Sequence, residues 1–231
     1  MNLFYEPEIR NGRKYLNDEE SRHALKALRL KTGDALHVID GMGGLYACRI
    51  VNDKKNCEFE ILEQSHQKPR PFSVHIAIAP TKNQDRMEWF VEKAVETGIE
   101  KITFILTKNS ERTRLRMERI RKKAIEAMKQ SQNLWLPELK EENRFGNFLM
   151  EARESQRFIA YVDETHRHSL KDLARTGGDY LALIGPEGDF TAEEIKAALE
   201  NHFIPVSLGP SRLRTETAGL AACFTLNLIN Q

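Results

Sequence analysis

From residue 74 onward the chain alternates short, nearly unbroken apolar runs with amphipathic stretches, and that alternation leaves few folds open. The apolar runs are 74–79, 102–106, 158–162, 180–184 and 204–208, and the stretches between them fall at 85–97, within 115–132, at 192–201 and at 217–229. Strands apolar on both faces, each followed by a helix, imply a mostly parallel α/β sheet with helices on both faces. The first helix carries Met87, Phe90, Ala94 and Val95 as one stripe. Asp85 is its expected N-cap, Glu88 follows three residues later, and Gly98 closes it. Thr191 and Glu194 make a second capping pair ahead of 192–201.

Upstream of residue 70 the pattern differs. The runs 36–39, 45–51 and 57–62 are short, and the last alternates with period two, as a half-buried strand does. Asp40-Gly41 with Gly43-Gly44 between the first two runs signals a tight hairpin. A phosphate loop is the weaker reading, because no Lys-Ser/Thr follows and no helix begins there. A helix at about 18–30 carries His23 and Arg29. The polar segment 64–71, with prolines at 69 and 71, reads as a linker. Two domains follow, 1–70 as a small β-barrel-like module and 71–231 as the α/β domain; 231 residues suit that division.

Composition chiefly excludes. Net charge is +1, so a nucleic-acid partner has to be met by a local patch. Acidic residues at positions 6 and 8 precede any long apolar run, so no signal peptide is expected. The apolar stretch 218–229 is too short to span a bilayer. Cys48, Cys57 and Cys223 are scattered, as reduced cytoplasmic thiols are, and they lack metal-ligand spacing. His166 and His168 stand in a polar loop without a partner pair, so no metal is expected.

A parallel α/β sheet invites a dinucleotide enzyme, but the first strand of the second domain runs into residues 80–84, with no GxGxxG and no Walker lysine. The glycines come late, at Gly185 and Gly188 after the fourth strand and at Gly209 after the fifth. Ligands of open α/β sheets bind at the carboxyl ends of strands, so late glycines move the site rather than remove it. Either loop alone is a weak signal, because a strand-to-helix turn with Gly and Pro is more often plain punctuation.

Together they resemble a known family. Ile184-Gly185-Pro186-Glu187-Gly188 before an acidic helix, then Leu208-Gly209, then Leu213-Arg214-Thr215-Glu216-Thr217-Ala218, is similar to the family that methylates N3 of a uridine in 16S rRNA. That family belongs to the trefoil-knot (SPOUT) methyltransferases. Lys82, Glu88, Glu92-Lys93, Glu96 and Gly98 resemble its first helix region, and Ser110-Glu111-Arg112 the turn after its second strand. His23, Leu28-Arg29 and Asp40-Gly41 resemble its N-terminal RNA-binding module of the PUA type. Two places depart from its pattern: no Arg precedes Phe4, and the segment 129–133 lacks the usual Glu-Gln and Arg.

The resemblance implies a trefoil-knotted, mostly parallel α/β domain after a PUA-like β-barrel, a homodimer, and S-adenosylmethionine as methyl donor. Donor contacts are implied at Val162, Asp163, Ile184, Gly185, Pro186, Glu187, Gly188, Leu208, Gly209, Leu213, Arg214, Thr217 and Ala218. The implied substrate is a uridine in the decoding region of 16S rRNA, free or in the assembled small ribosomal subunit. Uridine N3 must lose its proton before it accepts a methyl group, and pairing hides it, so the base has to be unpaired or extruded. Arg214 is the candidate for gripping a phosphate or the uracil carbonyl, and Glu216 or Glu187 for taking the proton or orienting Arg214. The plain alternative has Glu216 and Thr217 merely opening the last helix, where a carboxylate favours the dipole. RNA contacts are expected at His23, Arg29, Lys82, Arg112 and Arg114. From Lys108 to Lys129 nine basic residues face three acidic ones, on a helix whose apolar stripe is Met117, Ile120, Ala124 and Met128. Two other readings stay open, a knot-fold methyltransferase with a different RNA target and a non-catalytic RNA-binding ribosome-assembly factor.

Overall fold

The computed structural model describes residues 2–111, 114–142, 145–161 and 168–231. The chain divides into two compact units. One is Met1–Pro69 with Met128–Leu136, and the other is Arg70–Ala127 with Pro137–Gln231.

In the first unit, β1 (Leu3–Tyr5) lies parallel to β2 (Ala35–Ile39), and β3 (Gly44–Asn52) and β4 (Glu58–His66) continue the sheet antiparallel. The free edge of β4 takes up residues 14–16, through Phe59 N–H to the Lys14 carbonyl and Leu16 N–H to the Cys57 carbonyl. Phe4, Leu16, Leu36, Val38, Ile50 and Phe59 fill the core between them. α1 (Asp18–Arg22) starts on an Asn17 cap, and His23–Ala27 is wound as a π-helix. The helix expected to Leu30 therefore stops early, ahead of Arg29 in the left-handed region. The expected linker is also shorter, since β4 runs on to His66.

The β2–β3 hairpin is the turn that its sequence signals. The Asp40 side chain accepts from the Met42 and Gly44 amides at 2.7 and 2.9 Å. Gly43, at φ 91, leaves room that a Cβ would take from Trp135 and from the Gln67 carbonyl. Segment 128–136 uses that room and pairs with the turn through Gly43 N–H to Leu134 and Leu136 N–H to Gly41. It counts with the first unit although in sequence it interrupts the second.

In the second unit, β5 (Phe72–Ile78), α2 (Gln84–Thr97), β6 (Lys101–Ile105), α3 (Met117–Gln130), β7 (Glu138–Glu142) and α4 (Phe145–Glu151) come first. β8 (Gln156–Ala160), α5 (Leu170–Leu173), β9 (Gly178–Ile184), α6 (Ala192–Glu200), β10 (Ile204–Val206) and α7 (Thr215–Leu228) follow. The six strands lie in the order β10-β8-β9-β5-β6-β7, and every pair is parallel. The sheet grows one way from β5 through β6 and β7, then the other way through β9. α7 returns to lie over β5 and β9 at the middle of the sheet. This is the trefoil-knotted α/β class expected, with a small β domain ahead of it.

Alternation of side chains along the strands divides the core. Ala77, Ile105, Ile159, Leu181 and Leu183 meet α4 and α6. Ile78 faces the other side, where α2 and α7 pack together over the sheet. One sequence reading shifts, two elements are new, and one cap forms as read. The α2 cap is Asn83, whose side chain accepts from the Asp85 amide, so the helix begins two residues earlier than an Asp85 cap allows. β7 and α4 were not expected; β7 reads Glu-Leu-Lys-Glu-Glu, a charged edge strand with too little apolar pattern to announce itself. The capping box of α6 forms as expected.

Candidate active site

The carboxyl ends of β8, β9 and β10 open on one cavity of about 740 Å³. Its wall comes from Ala160 and Tyr161 after β8, Ile184 to Glu187 with Asp189 after β9, and the stretch from Val206 to Thr215 after β10. Arg86 from the first turn of α2 and Ala218 from α7 complete it. Strand ends on one side of the switch at β5 are where an open α/β sheet places a ligand.

Local structure explains the shape of the loops. After β9 the chain turns at once, with Asp189 N–H bonded to the Pro186 carbonyl and Asp189 held at φ 60. Gly185 sits against this turn, and a Cβ there would come within 3.1 Å of the Phe190 ring. Neighbouring loops hold it from outside. The Lys82 amide donates to Glu187 Oε1 at 3.1 Å, and Asn109 Nδ2 donates to the carbonyls of Gly188 and Asp189. After β10, Gly209 takes φ 141, and Ser207 Oγ bonds its N–H and its carbonyl.

Nine of the expected donor contacts line this cavity: Ile184, Gly185, Pro186, Glu187, Leu208, Gly209, Leu213, Arg214 and Ala218. Gly188 is turned toward Asn109 instead, and Thr217 lines a separate hollow between α2 and α7. Val162 and Asp163 lie outside the described residues, as does Arg112. Of the three catalytic candidates, Arg214 and Glu187 reach the cavity, whereas Glu216 is buried beside it. Glu216 Oε1 lies 3.8 Å from Arg86 Nε, and its Oε2 has no hydrogen-bond partner among the described residues. Arg86 escaped the sequence reading. The signal for it was positional: it stands on the first turn after the first strand, where a strand-end site collects side chains.

The cavity's chemistry divides in two. Ala160, Ile184, Val206, Leu208, Leu213 and Ala218 give an apolar wall, while Arg86, Arg212 and Arg214 bring guanidinium groups. A nucleoside-sized cofactor fits such a space, which lies within the usual range for ligand pockets. No cysteine lines the cavity: all three thiols are buried, and burial pushes Cys48 and Cys223 up to about 12 and Cys57 up to about 11.

The remaining expected RNA contacts are His23, Arg29, Lys82 and Arg114, and all four are exposed. The His23 ring meets Phe4 edge-on, and Lys82 pairs with Glu111 at 3.2 Å. On α3, ion pairs engage part of the basic run. Arg119 binds Glu88, Lys123 binds Glu92 and Glu126, and Lys129 binds Glu20.

Residues 68–227 match the model of an RNA methyltransferase domain, and 16–62 match that of an RNA methyltransferase PUA domain. A crystal structure described as a probable rRNA-methyltransferase from Porphyromonas gingivalis superposes with a TM-score of 0.93 at 42% identity, covering 100% of this chain and 98% of that one. Ribosomal RNA small subunit methyltransferase E from Neisseria gonorrhoeae, solved bound to S-adenosyl methionine, has a TM-score of 0.85 at 28% identity, covering 100% and 98%. The enzyme of that name from Synechocystis sp. is 32% identical over 93% of this chain and 72% of its own length. The cavity is thus formed by the domain that these proteins share, and the chain belongs to the RNA methyltransferase family.

Proposed function

We propose that this chain is an S-adenosylmethionine-dependent methyltransferase acting on N3 of one uridine in the decoding region of 16S rRNA. One observation carries the reading: loops after β8, β9 and β10 converge on a single cavity with an apolar wall and a cationic side. That is the pairing that a nucleoside donor and a polyanionic substrate require.

S-adenosylmethionine supplies the electrophilic methyl group when bound. The backbone of Ile184 to Glu187 and of Leu208-Gly209 would hold it, and Leu213 and Ala218 would cover it. The rest falls to the chain's own groups. Arg214 holds a phosphate or uracil oxygen with its fork. Glu187 is the proton acceptor best placed for N3, since it lines the cavity and the Lys82 amide fixes its Oε1. The apolar wall keeps water from competing for the reactive carbon. Deleting the gene and mapping methylation in small-subunit rRNA tests the reading. N3-methyluridine is lost at one position, and its retention would contradict the proposal.

Phosphate contact is the role of the exposed face around Arg114 and Arg116, together with Lys82, His23 and Arg29. Arg114→Glu with Arg116→Glu lowers rRNA affinity by roughly tenfold or more and flattens its salt dependence, while donor affinity holds. Equal loss of both affinities would contradict it. Calorimetry for the donor and filter binding across salt for the RNA separate the outcomes.

A second copy of the chain is the partner proposed for α2 and α7. α7 is mostly apolar and presents no separate polar face, yet Phe224 and Leu228 are 57% and 55% exposed, and Trp89 of α2 is 42% exposed beside the same hollow. Sedimentation equilibrium should give twice the chain's 26.6 kDa, and Phe224→Glu should return the mass to that of one chain. A wild-type monomer would sink the dimer.

A further inference from the structure

We propose that Arg86 is a second guanidinium gripping the target nucleotide, and that Glu216 is the positioning residue that sets it rather than a proton acceptor. The inference rests on the proposed function and names the groups that hold its substrate.

Arg86 stands on the first turn of α2, at the positive end of the helix dipole, where a cation is unfavourable. It nonetheless lines the cavity, and its side chain makes no hydrogen bond to any described residue. Among the described residues its ion-pair partner is Glu216, whose Oε1 lies 3.8 Å from Nε. Glu216 belongs to the first turn of α7 and is only 7% exposed. A carboxylate so buried is costly unless it is paired, and here Oε2 has no hydrogen-bond partner among the described residues. The two groups have opposite needs and lie just beyond hydrogen-bond reach, Glu216 behind the wall and Arg86 at it.

This arrangement suits orientation. Glu216 attracts the Nε edge of the guanidinium, leaving the two terminal nitrogens for a ligand, and that fork matches a phosphate or a paired set of uracil oxygens. Glu216 does not line the cavity, whereas Arg86 and Arg214 do, so the arginines and not the carboxylate are the groups offered to a substrate. Arg86 comes from α2 and Arg214 from the cap of α7, so the nucleotide is held from two elements at once.

The test is a double-mutant cycle in single-turnover transfer to unmodified small-subunit rRNA, with donor affinity and melting temperature measured for each variant. Arg86→Ala slows transfer by about 10²-fold with donor affinity unchanged. Arg86→Lys keeps charge and stem but lacks the fork, so it recovers little of the rate. Glu216→Gln slows transfer by about tenfold, leaves the pH dependence of the rate intact, and adds nothing to Arg86→Ala. Three results would overturn the proposal: multiplicative losses in the double variant, a wild-type rate in Arg86→Ala, or a Glu216→Gln enzyme that has lost its pH dependence. Should the wild-type protein methylate no rRNA, the function it rests on fails, and the proposal fails with it.

Discussion

Arg214→Ala should slow methyl transfer to small-subunit rRNA by about 10²–10³-fold while leaving donor affinity within a few-fold. Arg214 is the N-cap of α7, a position that favours Ser, Thr, Asn or Asp, and its side chain makes no capping bond. Its charge sits at the positive end of the helix. Nothing in the stability of α7 accounts for an arginine there; what it faces is the cavity. Arg214→Ser sharpens the point, since a capping hydroxyl should stabilise the protein by about 0.5–2 kcal/mol as activity collapses. Thermal melts and single-turnover rates on the same preparations check both halves. A destabilised Arg214→Ser protein with normal transfer would contradict the assignment.

The second large effect lies one turn along the same helix. Gly219 is buried where α7 crosses α2, and a Cβ there would come within 2.8 Å of Ile78 Cδ1 and of Phe90 Cε2. Gly219→Leu therefore forces the two helices apart, at about 3 kcal/mol, the upper end of ordinary overpacking. For a chain of this size that lowers Tm by roughly 6–12 °C. Activity should fall further than the folded fraction, because α2 carries Arg86 and α7 carries Arg214 and Glu216. Gly219→Ala adds only the Cβ that meets Ile78 and Phe90 and regains up to about 1 kcal/mol of helix propensity, so it should destabilise less than Gly219→Leu. Calorimetric melts of both variants decide it, and a Gly219→Leu protein as stable as wild type would refute the close crossing.

Much of this was readable from the chain itself. Apolar runs at the β5, β6, β8, β9 and β10 positions announced a parallel sheet because such strands are buried on both faces. The late glycines then located the cavity, because backbone turns sharply at a strand end only where side chains permit it. What stayed hidden has physical reasons. β7 is a charged edge strand, and an edge needs no apolar alternation. Residues 128–136 sit with the first unit because Gly43 leaves space for Trp135, a contact that no local periodicity reports. Arg86 was missed because one arginine in an amphipathic helix looks like any solvated charge. The sequence offers Glu216 as a helix opener, a base or a group orienting Arg214, and its burial beside Arg86 emerges only once α2 and α7 are side by side.

The central claim is methyl transfer from S-adenosylmethionine to uridine N3. Its most direct test incubates the purified protein with the donor and with small-subunit rRNA, free or within the subunit, from a strain lacking the gene. Digestion to nucleosides and mass spectrometry should then show N3-methyluridine, with the modified fragment mapping to one position in the decoding region. No methyl incorporation, or incorporation on a 2′-hydroxyl or another base, would contradict the account.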